Sequence, residues 1–452
     1  MSLDIVGRER QYMKYAGKGW DMGVCKRGQR SASLTLSILF FAVGTHLATK
    51  AAASSGPTVS KRQQALEVAN FDRQRILKLA DAALNVAPIS ITQFRAPLSE
   101  GGPHDFYSNG DYWWPDPNKP DGLPYLQRDG QSNPQNFSAH RLALRNLRNA
   151  VAALAAAYAL DGQEKYAAKA VVLLKVFFLD EATKMNPSLL YAQAIPGRFS
   201  GRGIGIIDTL HLAEVPPAIL VLSHSGAMTP EILAGLKKWF GDYAQWMTTH
   251  KYGVDEMNAK NNHSVAYTVQ LAAFATLTGD TANLDLCRQR YKEVFVPQQM
   301  ARDGSFPQEL KRTKPYGYSI FQLDNMAILC QLLSTERDNL WTFTLPDGRG
   351  IRKAVEYLYP FLQDKTKWPY QPDVEHFESW PVRQPALLFA AHAFHEHKYL
   401  DLWRTLDPDP ADPEVQRNMA ITQPLLWLLS PADVPLSRHG SPRSPSDTDS
   451  HR

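Results

Sequence analysis

Cysteine is scarce in this chain, with 3 among 452 residues, which is too few for a disulfide-stabilised scaffold. Neither sign of charge dominates, because 49 Lys and Arg stand against 45 Asp and Glu. That balance argues against the basic field of a nucleic-acid-binding protein. Hydrophobic residues make up 44% of the chain, which excludes a mainly disordered protein. A globular protein with a large core remains, and a locally basic cleft is compatible with it.

The apolar run at residues 34–43 is too short to span a bilayer. Basic residues precede it, and three alanines lie before Ser54, as at a signal-peptidase site. The pattern predicts a secretory signal over residues 1–53, and therefore a periplasmic or secreted protein without stable membrane insertion after cleavage. Met22 is an alternative start that leaves a signal of ordinary length. A membrane anchor or a buried helix is the alternative interpretation of the run.

Cys287 and Cys330 remain once such a signal is removed. Neither has a metal-ligating neighbour at the spacing of a zinc site, so we expect no metal and no cofactor. Both are expected in helices as small apolar side chains. A single disulfide between them is the alternative in an oxidising compartment.

Helical periodicity runs through nearly all of residues 60–430. Fixed-length repeats and alternating strand patterns are not evident, which argues against TPR or HEAT arrays, sandwiches and barrels. About eleven helices with short connections predict one all-α domain, an (α/α) toroid or incomplete barrel of antiparallel helical hairpins with long functional loops at one rim. Residues 431–452 are rich in Ser, Pro and Asp and predict a disordered tail. The predicted helices lie near 65–84, 142–159, 163–179, 204–223, 229–249, 263–278, 281–294, 318–334, 350–363, 383–396 and 415–429.

The long loop at residues 104–137 combines aromatic and polar residues without a helical period. Tyr112, Trp113 and Trp114 offer aromatic faces that can stack on sugar rings, and neighbouring polar groups can bind hydroxyls. The loop therefore predicts a sugar-binding cleft. A loop that is merely held in place by its own aromatic residues is the alternative.

Two arginines lie in a glycine-rich segment at residues 198–205. Arg198 and Arg202 precede a predicted helix, where free N–H groups also favour an anion. They are candidate contacts for an acidic ligand, and a glycine-rich turn with solvated arginines is the alternative. Near residues 373–383, Glu378 and Arg383 are further substrate-contact candidates.

Two other helix starts carry residues suited to acid–base chemistry. Asn262 and His263 follow Glu256 by six and seven positions, and a histidine there can act as a base or a donor. Arg312 precedes Tyr316 and Tyr318, and its positive charge favours a tyrosine phenolate. A structural histidine and a hydrogen-bonded rim tyrosine are the alternatives.

Over residues 65–400 the sequence resembles the alginate-lyase superfamily of polysaccharide lyases. The resemblance rests on Asn262-His263, on the segment from Arg312 to Tyr318, and on Leu323-Asp324. The six-residue interval from Arg312 to Tyr318, the loop from Tyr107 to Trp114 and the position of Glu256 are most similar to polysaccharide lyase family thirty-eight. The resemblance implies an (α/α) toroid that cleaves a polyuronate such as alginate or glucuronan, without a metal requirement.

We interpret the residues as the site of a β-elimination on a 4-linked uronic acid. Asn262, His263 and Arg312 suit neutralisation of the substrate carboxylate, and Glu256 either shares a proton with it or orients His263. Tyr318 serves as base and then acid for mannuronate or glucuronate, with Arg312 lowering its pKa. For guluronate, His263 is the base and Tyr318 the acid. Arg198, Arg202, Trp113 and Trp114 are expected to bind neighbouring uronates.

Two other functions fit the same residues. A glycoside hydrolase needs two opposed carboxylates, and a lyase differs from it by leaving an unsaturated, ultraviolet-absorbing product. A non-catalytic binding protein for acidic polysaccharides is the second alternative. The candidate hydrolase carboxylates are Asp111, Asp116, Glu256 and Glu378.

Overall fold

The computed structural model describes residues 60–436, and their backbone is mainly helical, as predicted. The predicted signal segment lies outside these residues. The α-helices are α1 (Lys61–Leu84), α2 (Ala139–Asp161), α3 (Glu164–Phe178), α4 (Val215–Leu222), α5 (Pro230–Thr249), α6 (Lys251–Met257), α7 (Asn262–Thr278), α8 (Thr281–Arg290), α9 (Pro307–Leu310), α10 (Pro315–Leu333), α11 (Ile351–Gln363), α12 (Pro385–Phe394), α13 (His397–Thr405) and α14 (Pro413–Asn418).

Local sequence signals set several of the helix ends. The Ser60 hydroxyl accepts the N–H of Gln63, whose side chain accepts the N–H of Ser60, and this capping box starts α1. Thr229 caps the start of α5. Gly162 and Gly279 end α2 and α7 with φ values of 74° and 77°, which a residue with a side chain adopts only with strain.

Two-residue turns join consecutive helices into antiparallel hairpins, as in α2–α3, α7–α8 and α12–α13. The alanine-rich face of α2 is buried against α1, α3 and α4, and α7 is buried against α5 and α10. The hairpins form the predicted (α/α) toroid.

Short strands connect the long loop to the segment that carries the arginines. Strand β1 (Tyr107–Asn109) pairs in parallel with β4 (Tyr191–Ala194), and β2 (Trp113–Trp114) pairs antiparallel with β3 (Leu126–Gln127). The pairing holds both tryptophans of the predicted cleft in a fixed backbone conformation next to the arginine segment.

The segment Gly203–Leu222 is apolar and long enough to resemble a membrane span, but 72% of it is buried inside the fold. It begins as a 3-10 helix, Gly203–Glu214, and continues as α4. The predicted helix at 281–294 likewise changes character, because α8 ends at Arg290 and a π-helix, Tyr291–Gln299, follows.

The prediction of one helix over residues 415–429 is wrong. A buried ion pair between Arg148 and Glu214 captures the backbone of this segment instead. Arg148 donates to the carbonyls of Met419 and Ala420, and Glu214 accepts the N–H groups of Thr422 and Gln423. Because these groups are used outside a helix, the chain forms only α14 and a short 3-10 turn, Pro424–Trp427.

Two further expectations change at the ends and in the core. The tail was expected to be disordered from residue 431, but Val434 and Leu436 are buried in the hydrophobic core. Cys287 and Cys330 are both free and buried, so the alternative of a disulfide between them is not realised. Their sulfurs contact the Thr268 carbonyl and the Tyr291 hydroxyl.

Candidate active site

The first turn of α10 places Tyr318 against the long loop that carries Tyr112. Its hydroxyl lies 2.6 Å from the hydroxyl of Tyr112 and accepts a hydrogen bond of 3.2 Å from Nη2 of Arg312. The Arg312 guanidinium also lies over the Tyr318 ring, 4.4 Å from its centroid, and forms an ion pair of 2.8 Å with Asp129. Tyr318, Arg312 and Tyr112 therefore form one hydrogen-bonded group, drawn from two distant parts of the sequence, the segment 312–318 and the long loop.

The first turn of α7 presents Asn262 and His263 beside this group. The Asn262 backbone N–H and side-chain amide donate to the two carboxylate oxygens of Glu309, at 2.8 and 2.5 Å. Nδ1 of His263 lies 2.7 Å from Oε1 of Glu256, whose side chain is fully buried. Each residue is thus fixed in orientation by a buried carboxylate.

A chain of buried amides aligns the two helix starts. Nε2 of Gln322 on α10 donates to Oε1 of Gln299, and Nε2 of Gln299 donates to the hydroxyl of Ser264 on α7. Ser264 lies one position beyond His263, and Gln322 lies four positions beyond Tyr318. The hydrogen bonds through Gln299 therefore hold both helix starts at the same rim. This is the arrangement that the sequence predicted.

The charge on His263 is controlled by Glu256. Burial alone lowers the pKa of His263, but the adjacent Glu256 carboxylate, with a smaller contribution from Glu309, outweighs burial and raises the pKa above its ordinary value. His263 is therefore biased toward its cationic form, which suits neutralisation of a substrate carboxylate better than proton abstraction.

The pKa of Tyr318 differs from the expectation. Burial raises it, and Arg312 and Tyr112 lower it by less, so the net direction is upward. The expected lowering by Arg312 is present, but it does not dominate because the hydroxyl has lost most of its water contact. The phenol form is consequently favoured at neutral pH in the ligand-free protein.

Replacing Glu256 with Gln is expected to lower the pKa of His263, because burial is then opposed only by the smaller effect of Glu309. The raised folded-state pKa contributes stability that is complete below the unfolded pKa of 6.5 and is lost as pH rises through the folded value. We therefore expect Glu256→Gln to cost about 1.5–3 kcal/mol of unfolding free energy at pH 6 and much less at pH 9. Histidine NMR titration and denaturant unfolding at both pH values measure these effects. An equal loss at both would contradict the charge pairing.

Arg202 lies beside Trp113 of the long loop and has no ion-pair partner among the described residues. Its Nε donates to the Gln193 carbonyl at 2.8 Å and its Nη2 to the Gln193 side-chain oxygen at 3.2 Å. Gln193 has a left-handed φ of 48° and is itself held by Asp208 and Ser108. Burial lowers the pKa of Arg202 to about 10. A fixed, poorly hydrated cation of this kind is suited to an anionic ligand.

Aromatic and basic residues continue outward from Arg202. The guanidinium groups of Arg198 and Arg202 lie 5.5 and 5.8 Å from the centroid of Trp113, and that of Arg128 lies 4.8 Å from Trp114. Arg198 is exposed. These side chains form a strip of the composition predicted for binding several acidic sugars.

Three residues predicted to contact the substrate have partners within the protein instead. Tyr316 is fully buried and donates to the Phe361 carbonyl, because two positions along a helix turn a side chain to the opposite face from Tyr318. Glu378 is an exposed surface residue paired with Lys365. Arg383 is paired with Asp72 and lies over the Trp403 ring. The substrate-binding predictions for Tyr316 and Arg383 are therefore wrong, whereas that for Glu378 stays a prediction.

Other residues of the site were missed or misassigned. Tyr112 bonds to Tyr318 and so belongs to the catalytic group as well as to the sugar-binding loop. Glu309 was not predicted as a site residue, although it lies only three positions before Arg312. Asp129 and Arg417 carried no local signal, because their roles depend on contacts with residues far away in the sequence. Asp324, part of the resemblance, is buried below the site and accepts the Ala386 N–H.

Within residues 60–436, no group of three or more His, Cys, Asp or Glu side chains is placed to hold a metal ion. Three of the four candidate hydrolase carboxylates have other partners. Asp111 pairs with Arg141 and Arg417, Glu256 binds His263, and Glu378 is at the surface. The geometry thus favours a tyrosine-centred site.

Comparison with known proteins agrees with this geometry. The sequence model of the alginate lyase family matches residues 90–368, more than half of the chain, so the chain belongs to that family. An alginate lyase from Bacteroides ovatus is 34% identical, with 82% of this chain and 98% of that one covered and a TM-score of 0.70. Alginate lyase A1-III from Sphingomonas species A1 is 15% identical over 77% of this chain and 90% of its own, with a TM-score of 0.46. No curated protein matches.

The protein is accordingly a polysaccharide lyase, and the hydrolase and the binding-protein alternatives are set aside. The resemblance to the alginate-lyase superfamily is confirmed. Assignment to polysaccharide lyase family thirty-eight stays a prediction.

Proposed function

We propose that this lyase cleaves a 4-linked polyuronate of the alginate or glucuronan type by β-elimination. The observation that carries the proposal is the Tyr318 hydroxyl, hydrogen-bonded to Arg312 and Tyr112 beside the oriented Asn262 and His263. The family match and the Bacteroides ovatus alginate lyase support the substrate class.

In the proposed reaction, the Tyr318 phenolate removes the proton from C5 of a uronate. The C5–H electrons form the C4–C5 double bond while the C4–O4 bond breaks, and the Tyr318 phenol returns its proton to O4. Atoms and charge balance, and the tyrosine ends as the phenolate with which it began. The product carries a 4,5-unsaturated uronate at its new end.

The carboxylate of the reacting uronate gains negative charge as C5 loses its proton. The Asn262 amide, the His263 cation and Arg312 stabilise that charge in a partly dehydrated site. Glu256 acts through His263 by keeping it protonated and oriented. Outside the reacting position, Arg202, Arg198, Trp113 and Trp114 bind the neighbouring uronates of the chain.

The electrostatics favour one of the two stereochemical routes. Elimination from guluronate requires neutral His263 as base, whereas Glu256 raises the pKa of His263 and holds its proton. Mannuronate and glucuronate place the C5 proton and O4 on one face, where Tyr318 alone can serve both. We therefore propose polymannuronate or glucuronan as the preferred polymer. The predicted signal supports a periplasmic or secreted site of action.

Incubation of purified protein with polymannuronate, polyguluronate and glucuronan tests the proposal. We expect near-ultraviolet absorbance from unsaturated ends to rise at least about tenfold faster on mannuronate or glucuronate polymers than on polyguluronate, one tenfold step being about 1.4 kcal/mol of barrier. New reducing ends without absorbance would contradict elimination. A preference for polyguluronate would retain the lyase but overturn the proposed use of Tyr318 as both base and acid.

A further inference from the structure

The hydroxyls of Tyr112 and Tyr318 form a close pair, and the proposed reaction uses only the Tyr318 hydroxyl. We propose that the two tyrosines act as one unit holding a single shared proton in the active enzyme, and that Arg417, by donating to the Tyr112 oxygen, directs the Tyr112 O–H toward Tyr318. Tyr318 then carries the negative charge that abstracts the substrate proton. The inference rests on the proposed elimination and adds Tyr112 as a catalytic residue and Arg417 as a positioning residue.

Donor geometry supports the shared proton. The oxygen–oxygen distance of 2.6 Å lies within the range for a hydroxyl that donates to an oxyanion. Nη2 of Arg312 donates to Tyr318 at 3.2 Å, and Nη2 of Arg417 donates to Tyr112 at 3.4 Å. A guanidinium can only donate, so each arginine occupies an oxygen lone pair and leaves the space between the oxygens for hydrogen.

Counting hydrogens identifies the satisfied state. With both hydroxyls protonated, only one hydrogen fits between the two oxygens, and the other lacks a partner within the pair. Once one proton has left to solvent, Arg312 donates to Tyr318, Tyr112 donates to Tyr318, and Arg417 donates to Tyr112. Every donor in that chain has an acceptor, so the arrangement suits the singly protonated pair.

The surrounding charges place the anion on Tyr318. The charge of Arg417 is offset by two carboxylates, Asp111 and Glu414, whereas Arg312 has one carboxylate partner, Asp129, within residues 60–436. Arg312 is also the arginine that lies over the Tyr318 ring. The charged groups that face the pair are Arg312, Asp129, Lys314, Glu414, Arg417 and Asp111.

Helix α14 brings Arg417 to the pair, although it begins well beyond residue 368, where the family match ends. Asp412 caps this helix and also accepts hydrogen bonds from His376 and Ser379. The buried ion pair between Lys314 and Glu414 ties α14 to the start of α10. Arg417 is therefore rigidly placed, as a positioning residue must be.

The test is the pH dependence of kcat/KM on the polymer that the wild type cleaves. Burial raises the pKa of both hydroxyls, so activity should rise toward alkaline pH as the pair loses its first proton. Tyr112→Phe removes the donor to the oxyanion. We expect kcat/KM on the rising limb of the pH profile to fall about tenfold or more, and that limb to move up by about one pH unit or more.

Arg417→Met is expected to shift the limb in the same direction by a smaller factor, about threefold to tenfold. Since Arg417 acts through Tyr112, the double variant should be no slower than Tyr112→Phe alone. If Arg417→Met unfolds, Arg417→Lys keeps the charge beside Asp111 and Glu414 but not the planar fork that reaches Tyr112. Melting temperatures identify purely structural losses, which do not move the pH limb.

Tyr370→Phe is the matched control, because it breaks another tyrosine pair, with Tyr357 at 3.3 Å, on the exposed surface. It should leave the pH profile unchanged. An unchanged limb in Tyr112→Phe, or additive effects of the two substitutions, would overturn the inference while an inactive Tyr318→Phe still upheld the lyase function. A wild type without elimination on any polyuronate overturns both.

Discussion

Tyr318→Phe is expected to reduce kcat for elimination by about 10³-fold or more, because one hydroxyl supplies both proton transfers and each contributes about 10²–10⁴-fold. The loss should appear in kcat with little change in KM, since the ring and its contact with Arg312 remain. Initial rates from ultraviolet absorbance on the preferred polymer measure it. Tyr318 is half-buried at the start of α10, so the variant should fold normally.

Circular dichroism and the melting temperature provide the control for folding. Tyr370→Phe, at the surface, should keep wild-type rates and so exclude a general effect of losing a tyrosine hydroxyl. If folded Tyr318→Phe kept more than about a tenth of the wild-type kcat, another group would have to be the base. Rapid cleavage of polyguluronate by that variant would point to His263.

The sequence predicted the fold and the two helix starts of the site because both depend on local patterns. The periodicity of apolar residues marks most helices, and Gly162 and Gly279 mark two of their ends. Asn262 and Tyr318 were selected as candidate site residues directly from their positions at helix starts. A local pattern cannot show which face of a helix a residue occupies when its neighbours are equally apolar. Tyr316 was placed wrongly for this reason.

The missing parts of the site arise from long-range contacts. Asp129 reaches Arg312 across 183 positions and Arg417 reaches Tyr112 across 305. Neither has a motif of its own, and the second belongs to a segment predicted as one regular helix. The Arg148–Glu214 pair prevented that helix and left α14 short. Burial also reversed the expected net pKa shift of Tyr318. The sequence shows a charged neighbour such as Arg312, but it does not show how much solvent the hydroxyl loses.

His263→Gln is expected to lower kcat about 10²- to 10³-fold at neutral pH, the size typical of removing one donor that stabilises a developing oxyanion. Gln can keep a hydrogen bond to Glu256 but cannot carry a positive charge. The wild type itself loses this charge as pH rises through the raised pKa of His263. The ratio of wild-type to variant kcat should therefore shrink toward alkaline pH.

The decrease of this kcat ratio with rising pH distinguishes the proposed role of His263 as a cation from the alternative role as a base. A histidine base works only when neutral, so its removal would cost more as pH rises, and the ratio would grow instead. His224→Gln, at an exposed position after α4, is the matched control and should leave the rates unchanged. Since Tyr318 gains activity with pH while His263 loses its charge, the wild type is expected to reach its highest rate between the two titrations. His263→Gln should abolish the alkaline decline and keep the rise.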